Sequence, residues 1–202
     1  MELFLEQLVN GLTVGSVYSL VALGYTMVYG IMRLINFAHG DLFMLGAYLG
    51  LTLFVSTSLS SWGLIWGFLA ILVLSMGLVA LLGLLVERVA YRPLRGSGRL
   101  TAVVSALGVS IFLQNGVMLI WGSRYRAYPS GIIPDVRWQL AGVNINLMQV
   151  IILAISLILM IALYLMVQRT TLGAAIRATA IDQDTARLMG IDVDGIIRLV
   201  FI

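Results

Sequence analysis

Four side chains that can bind ions or move protons lie close together near the start of the chain. No charge occurs between Glu6 and Arg33, and then Asn36, His39 and Asp41 follow within eight further positions. An imidazole beside a carboxylate can serve acid–base catalysis or metal binding. The chain has one His and no Cys, however, so no zinc-ligand spacing occurs. No serine elbow motif accompanies His39. A metal or hydrolytic site is therefore not predicted here.

The composition is that of a membrane protein. Of the 202 residues 61% are hydrophobic and only 10% are charged, with a mean hydropathy of +1.05, whereas soluble domains carry about 25% charged residues. All 12 basic residues are Arg and they lie between apolar runs, so the net charge of +3 points to membrane topology and not to nucleic acid. Membrane lipid is the expected surrounding, and no nucleic acid partner is expected.

The charge-free intervals predict the number of membrane spans. A helix needs about 20 apolar residues to cross the bilayer, and the stretch STSLSSWG at 56–63 offers a turn that divides the longest interval in two. Five spans are predicted, near 8–32, 42–57, 63–86, 101–121 and 147–167. A sixth starts near Ile196 and meets the chain end, so we expect one transmembrane domain over 1–202 that continues beyond it. The second span is short, and it is either a full span or partly re-entrant.

The arginines predict the orientation. With the N-terminus outside, nine Arg fall on the cytoplasmic side and three, namely Arg124, Arg126 and Arg137, fall outside. Cytoplasmic loops carry an excess of Arg. The loops with Arg92 and Arg177 are therefore predicted to be cytoplasmic, and the loop with Tyr128 external.

The first span has two unusual faces. Small residues recur every three or four positions, at Gly11, Gly15, Ser19, Ala22, Thr26 and Gly30, a pattern that lets another helix approach closely. On a neighbouring face Tyr18, Tyr25 and Tyr29 follow at steps of seven and four. These rings are explained either by interior packing or by the lining of a path for a solute with apolar and polar parts.

The segment RLINFAHGDLF after this span has two interpretations. In an interfacial turn, Arg33 and Asp41 lie at the lipid headgroups, and Asn36 or Asp41 caps the next helix. In a helix broken inside the protein, the segment lines a substrate cavity, as it does in many transporters. The second interpretation makes Asn36, Phe37 and His39 part of the path.

The segment 170–195 predicts a short helix on the Arg-rich side. Asp182 is a suitable N-cap, and Gly190 is placed to end the helix in a left-handed conformation. Asp192 then caps the following helix. Exposed Leu188 and Met189 would suit either docking onto a partner or contact with the membrane interface.

The residue types that the chain lacks limit which energy sources it could use by itself. A P-loop requires Lys, and the chain has none, so no nucleotide or other cofactor is expected in this chain. Every charge lies in a predicted loop or at a span end, which counts against proton coupling. A secondary carrier or channel would need an ion or gating site, and a membrane enzyme would need a catalytic set. Energy, if used, must come from another subunit.

Several motifs in this order carry a family resemblance. The stretches GSVYSLVALGYTMVYGIMRLINFAHGDLFMLGAY, VERVAYRPLR, SALGVSIFLQN and GSR resemble the permease subunits of branched-chain amino acid ABC importers, of the LivH kind. The resemblance implies an all-α polytopic transmembrane helix bundle in a bacterial or archaeal plasma membrane. It further implies a second related permease subunit, two cytoplasmic ATPase subunits that bind the ATP, and an extracytoplasmic substrate-binding protein.

The same resemblance implies site residues and a solute. The segment 170–195 matches the cytoplasmic coupling loop, with an ATPase-coupling set of Ala178, Asp182, Ala186, Arg187, Leu188, Met189 and Gly190. Arg177 and Thr179 replace the acidic residue of the general importer motif, so that match is loose. The implied solutes are leucine, isoleucine and valine, although relatives that move urea or short amides remain an alternative. The candidate path residues are Tyr18, Tyr25, Asn36, Phe37 and His39.

Overall fold

The computed structural model describes residues 2–57, 64–94, 97–128, 136–140 and 143–202. The longer helices, in chain order, are α1 (Glu2–Met32), α2 (His39–Ser56), α3 (Leu64–Val86), α4 (Arg99–Trp121) and α5 (Leu147–Arg169). A π-helical turn (Glu87–Tyr91) and a 3₁₀ turn (Arg92–Leu94) extend α3, and two strands, β1 (Arg137–Leu140) and β2 (Val143–Asn146), precede α5. Three short helices follow, α6 (Thr171–Ile181), α7 (Gln183–Leu188) and α8 (Val193–Val200).

Among the described residues, five helices, α1 to α5, are long and apolar enough to cross a membrane. Each predicted span falls on one of them, and the predicted all-α membrane bundle is confirmed. The predicted turn at 56–63 lies mostly outside the described residues. The predicted start of a sixth span, at Ile196, lies within α8, which begins at Val193 behind Asp192.

The helices α1 to α5 are apolar on all sides, and this is typical of membrane spans rather than of surface helices of soluble domains. Large exposed apolar side chains such as Leu119 and Phe112 cover α4, where lipid or another subunit would surround them. Polar residues fix the start of α5. Asn146 and Gln149 form a reciprocal capping box at the start of α5, so this helix begins at a defined residue.

Hydrogen bonds between helices define their directions. Asp41 near the start of α2 contacts Gln114 of α4, and Thr52 further along α2 accepts a hydrogen bond from Trp121 Nε1 at 2.7 Å. The helices α2 and α4 are therefore parallel. Near the start of α1, Asn10 contacts Gln149 of α5, so α1 and α5 also begin at the same end of the bundle.

The start of α2 lies well inside the bundle and not at its end. His39 Nε2 is 3.2 Å from Val21 O, and Val21 precedes the last residue of α1 by eleven positions, or about 16 Å of helix. The chain thus leaves α1, runs back along it and then begins α2. Residues 33–38 therefore form a re-entrant link within the bundle, and α2 after it is long and apolar enough to cross a membrane.

The reversal begins with an unusual backbone conformation. Arg33 has a φ of 52°, a left-handed conformation that costs a residue with a Cβ about 1–3 kcal/mol. Arg33 N still donates to Tyr29 O at 2.8 Å, so the last turn of α1 is complete before the chain turns. The left-handed residue then directs the chain back toward Val21.

A small β-hairpin, which was not predicted, lies at the end of the bundle where α1 begins. The strands β1 and β2 pair antiparallel, with Trp138 opposite Ile145. Asn144 on β2 donates from its side-chain amide to Glu6 Oε1 at 2.9 Å, which ties the hairpin to the first turns of α1. The hairpin and α1 thus form one end of the molecule.

The other end is formed by α6, α7 and α8. Their buried apolar residues form one cluster with the last turns of α1 and the end of α3: Val28, Ile31, Tyr91, Ile176, Ala186, Val193, Ile197 and Phe201. Thr170 caps α6 through its hydroxyl, which accepts from Gly173 N at 3.0 Å. A Cβ at Gly173 would collide with the carbonyls of Met166 and Val167, so only glycine fits this corner. The sequence analysis did not predict α6.

Candidate substrate path and coupling site

Tyr25 and His39 form the central contact of the candidate path. Their rings pack edge to face with centroids 5.9 Å apart. Gly24 makes room for this contact, because a Cβ there would lie 3.1 Å from His39 Cε1. The imidazole therefore lies against the inner part of α1, about two to three helix turns from the nearer end of that helix.

Asn36 holds the re-entrant link to α3. Its Oδ1 accepts from Tyr91 Oη at 2.6 Å and from Ala38 N at 3.1 Å. The side chain is only 3% exposed, so it faces the protein interior and not an open path. Its role is to satisfy the backbone of the turn inside the bundle.

The predicted caps of α2 are wrong. The N-cap residue is Ala38, and no side chain caps the helix there. Asn36 lies two residues earlier, and Asp41 lies in the first helical turn. The chain turns inside the protein, where Tyr91 is available to Asn36, so the capping logic of an exposed helix end does not apply.

Asp41 is buried between helices and not exposed at the surface of the chain. It is 8% exposed, and its Oδ1 accepts from Gln114 Nε2 at 3.0 Å. Its Oδ2 is buried with no hydrogen-bond partner among the described residues. Glu87, at the end of α3, is 1% exposed. Acidic groups therefore do occur inside the bundle, and the argument against proton coupling from their absence no longer holds.

The remaining path candidates lie on the surface of this chain. Tyr18 and Phe37 are exposed, and Tyr18 lies two helix turns before Tyr25 on the same face of α1. A Cβ added at Gly11 or Gly15 would meet nothing within 4 Å, so no described helix of this chain packs there. Of the five candidates, the structure joins Tyr25 with His39 and leaves Tyr18 and Phe37 separate.

The short helix predicted after Asp182 is present as α7, with the predicted caps. Asp182 Oδ1 accepts from Asp184 N at 2.9 Å and from Thr185 N at 3.3 Å. Gly190 has a φ of 84°, as a left-handed helix end requires. Asp192 then caps α8 through Gly195 N at 3.0 Å. All three capping predictions are confirmed.

Hydrogen bonds also set the charge of the N-cap. The Thr185 hydroxyl donates to Asp182 Oδ2 at 2.7 Å. This bond, followed by the N–H groups of Thr185 and Asp184, lowers the pKa of the Asp182 carboxyl below its ordinary value of 3.8. The cap is therefore ionised at neutral pH, where a negative charge suits a helix N-terminus.

Ala186 lies on the inner side of α7. It is 3% exposed and belongs to the apolar cluster of its own chain. The sequence interpretation placed it against an ATPase, where it would allow close approach. It instead allows α7 to pack closely on α6 and α8 within the buried cluster, because its small residue falls on the inner side.

The outer side of α7 is apolar and exposed. Leu188 is 87% exposed and Met189 79% exposed, and Ile181 beside them is also exposed. Arg187 makes ion pairs within this end of the chain, at 3.5 Å to Asp184 and 3.9 Å to Asp194. Ala178 lies half-buried on α6 rather than on the coupling helix.

Comparison with known proteins identifies the family. Residues 7–202 match the family described as branched-chain amino acid transport system / permease component. The chain belongs to this family. No solved structure matches it.

Curated relatives agree with this assignment. The permease is 45% identical over 205 residues to BraD of Pseudomonas aeruginosa, a high-affinity branched-chain amino acid transport system permease protein. It is 41% identical over 207 residues to LivH of Escherichia coli, which has the same description. Each match covers 98% of this chain and 66% of the relative. A probable LivH of Methanocaldococcus jannaschii is 25% identical over 87% of the chain.

Sequence reasoning missed several contact residues of the permease. Gln114 lies in the middle of the charge-free interval 100–123, and a polar residue there is a signal for a buried partner. Tyr91 and Gln183 had no such signal, because each looks like an ordinary interfacial residue. Their partners Asn36 and Ile31 are 55 and 152 positions away in the chain.

Proposed function

We propose that the permease is a membrane-embedded subunit of an ATP-driven importer for branched-chain amino acids. Family membership and the relatives named for branched-chain amino acid transport support this assignment. The chain spans 66% of the length of those relatives, so the proposal concerns the part of the path and the coupling element that it contains. Urea or short amides are the alternative solutes.

The proposal includes partners of defined roles. The chain has no Lys and so no P-loop, and ATP is assigned to two cytoplasmic ATPase subunits. A second related permease completes the path, and an extracytoplasmic binding protein delivers the solute. No cofactor is assigned to this chain itself.

One observation carries the coupling assignment. The helix α7 is fixed on its inner side by buried Ala186, while Leu188 and Met189 are left exposed on its outer side. A rigid short helix with two apolar side chains in water suits insertion into a groove of another protein. An interfacial membrane helix is the competing explanation, and the two differ in whether an ATPase subunit depends on these side chains.

The docking test compares a double variant of the exposed side chains at the end of α7 with a variant of an equally exposed leucine elsewhere. Leu188→Ala combined with Met189→Ala should reduce the amount of ATPase subunit that copurifies, and binding-protein-stimulated ATP hydrolysis and uptake should fall with it. Leu119→Ala is the matched control, because Leu119 is equally exposed at 87% but lies at the far end of α4. Unchanged copurification in the double variant would reject docking through α7.

Two further substitutions have distinct expected effects. Gly190→Val forces a β-branched residue into a φ of 84°, so it should displace Met189 and uncouple hydrolysis from uptake. Ala186→Trp should instead lower the amount of folded permease, because the ring would enter the chain's own apolar cluster. The two variants therefore separate a docking defect from a folding defect.

We also assign the contact of Tyr25 and His39 to the solute path. The re-entrant link brings His39 to the inner part of α1, and transporters often bind solutes at such interrupted helices near the bilayer midplane. Exposed Phe37 and Tyr18 extend the same assignment along the surface, and buried Asn36 holds the link in place.

Solute competition tests the identity of the cargo. Vesicles containing the assembled transporter should take up radiolabelled leucine, and excess isoleucine or valine should compete. Excess urea or acetamide should not compete. Competition by urea alone would transfer the assignment to the alternative solute class.

A further inference from the structure

Two hydrogen bonds join the last turn of α1 to the junction of α6 and α7, in opposite directions. Gln183 Nε2 donates to Ile31 O at 2.8 Å, and an Arg33 guanidinium nitrogen donates to Ile181 O at 2.9 Å. Both acceptors are carbonyls in the last turn of a helix, where no intrahelical N–H reaches them. Each helix end is thus satisfied by a side chain from the other segment. We refer to Ile31, Arg33, Ile181 and Gln183 as the clamp.

Apolar contacts support the clamp. Val28 and Ile31 of α1 lie in the same buried cluster as Ala186 of α7. The start of α7 is therefore joined to α1 by the Gln183 bond and the end of α6 by the Arg33 bond, and both bonds lie beside the shared buried cluster. Leu188 and Met189, on the outer side of α7, are exposed.

The other contacts of α1 make it suitable for carrying a displacement. It is a continuous helix of 31 residues, about 46 Å long. Its first turns reach Asn144 of the hairpin and Gln149 of α5. About two thirds of the way along, Val21 and Tyr25 contact His39. A displacement at its last turn therefore reaches the candidate path and the opposite end.

We propose that the clamp transmits the movement of α7 to α1, with Arg33 and Gln183 as positioning residues for transport. This inference rests on the proposed docking of α7 to an ATPase subunit. When the ATPase moves α7, the paired hydrogen bonds make α1 follow, and the contact of Tyr25 with His39 changes. Without the clamp α7 would still dock, but its movement would be lost at the junction.

The backbone of Arg33 allows an unusually clean variant. Arg33→Gly removes the guanidinium and suits the left-handed φ of 52°, so the turn itself is not strained. Gln183→Met keeps the length of the side chain and removes the donor. Arg198→Ala is the control, because Arg198 lies at the same end of the molecule and pairs with Asp192 of its own segment at 3.7 Å.

The experiment uses the complete transporter in proteoliposomes and measures solute taken up per ATP hydrolysed. In Arg33→Gly and in Gln183→Met this ratio should fall about 5-fold or more, within the range of coupling free energies between sites. Copurified ATPase and basal hydrolysis should stay at parent levels. The double variant should be little worse than the more severe single one, because the two bonds act as one unit.

The outcomes separate this inference from the proposed function. An unchanged ratio in both single variants would overturn the clamp, and so would a loss of copurified ATPase, which would assign these residues to docking. If the Leu188 and Met189 variant retains its ATPase, the docking assignment itself fails. If Arg33→Gly does not accumulate, two other variants decide the question. Arg33→Lys keeps a donor and should stay near the parent ratio, whereas Gln183→Met should lower that ratio.

Discussion

Asp41 of α2 accepts a hydrogen bond from Gln114 of α4 at 3.0 Å, and this is its one hydrogen bond in the part of the chain that the structure describes. Gln114 Nε2 also lies 3.2 Å from Ser110 Oγ. The amide thus links two polar groups between parallel helices. In a bundle with few polar contacts, this pair fixes how α2 and α4 lie side by side.

Removal of Gln114 should destabilise the fold more than removal of Asp41. Gln114→Leu leaves both carboxyl oxygens of buried Asp41 without a partner, at a cost of about 1–3 kcal/mol. Asp41→Leu leaves the amide its contact with Ser110. Replacing both residues by Leu should recover much of the loss. Thermal unfolding midpoints in detergent would measure all three, and additive losses in the double variant would show that the pair is not coupled.

His39→Ala should reduce uptake without reducing the amount of permease in the membrane, because it removes the ring that packs on Tyr25. Gly24→Val should have the same effect by crowding the imidazole from the other side, since even a Cβ comes within 3.1 Å. Gly40→Ala is the control, because its Cβ position is open. Radiolabelled uptake normalised to membrane level provides the measurement, and parent-level uptake in His39→Ala would remove His39 from the path.

The bundle predicts which loops share a side of the membrane. Tyr91 beside Arg92 contacts Phe201, so the loops with Arg92 and Arg177 belong to one end, and the loop with Tyr125 and Tyr128 belongs to the other. Because the chain has no Cys, single Cys residues can be introduced cleanly. A membrane-impermeant thiol reagent should label position 125 in intact cells, and positions 92 and 177 only after permeabilisation. Labelling of position 92 before permeabilisation would reverse the orientation.

Acid should loosen α7 by protonating its cap. The pKa of Asp182 is lowered in the folded chain, so the cap stabilises α7 fully above the unfolded value, and this contribution is lost as the pH falls through the lowered value. A spin label at position 188 should keep the same mobility down to about pH 5 and become more mobile below 3.8.

Two variants at the same position test this cause. Asp182→Asn also caps helices well and has no charge to lose, so its label should show no such acid step. Asp182→Ala should be mobile at every pH. An acid step that persists in Asp182→Asn would assign the effect to another carboxyl group.

Local patterns predicted part of this structure. The span helices followed from apolar length, and the caps at Asp182, Gly190 and Asp192 followed from side-chain chemistry within three residues. These signals are local, and the structure reproduces them. The family resemblance on quoted motifs was confirmed as well.

Contacts between distant residues were not predictable in this way. Whether Asn36 caps a helix or accepts from Tyr91 depends on where α3 ends in space, and the burial of Asp41 depends on α4. The small side chain of Ala186 would allow close approach either by an ATPase subunit or by its own chain. Only the fold shows that it packs within its own chain.

The dependence of Asn36 on Tyr91 also affects how the chain is made. The link between α1 and α2 turns inside the bundle, and the hydroxyl that donates to Asn36 belongs to a residue synthesised 55 positions later. Since an unpaired polar group within the bilayer is costly, the first two helices should become stably packed only after the third has left the ribosome and entered the membrane. We therefore expect the first helical hairpin to mature in the membrane in company with the third helix and not on its own.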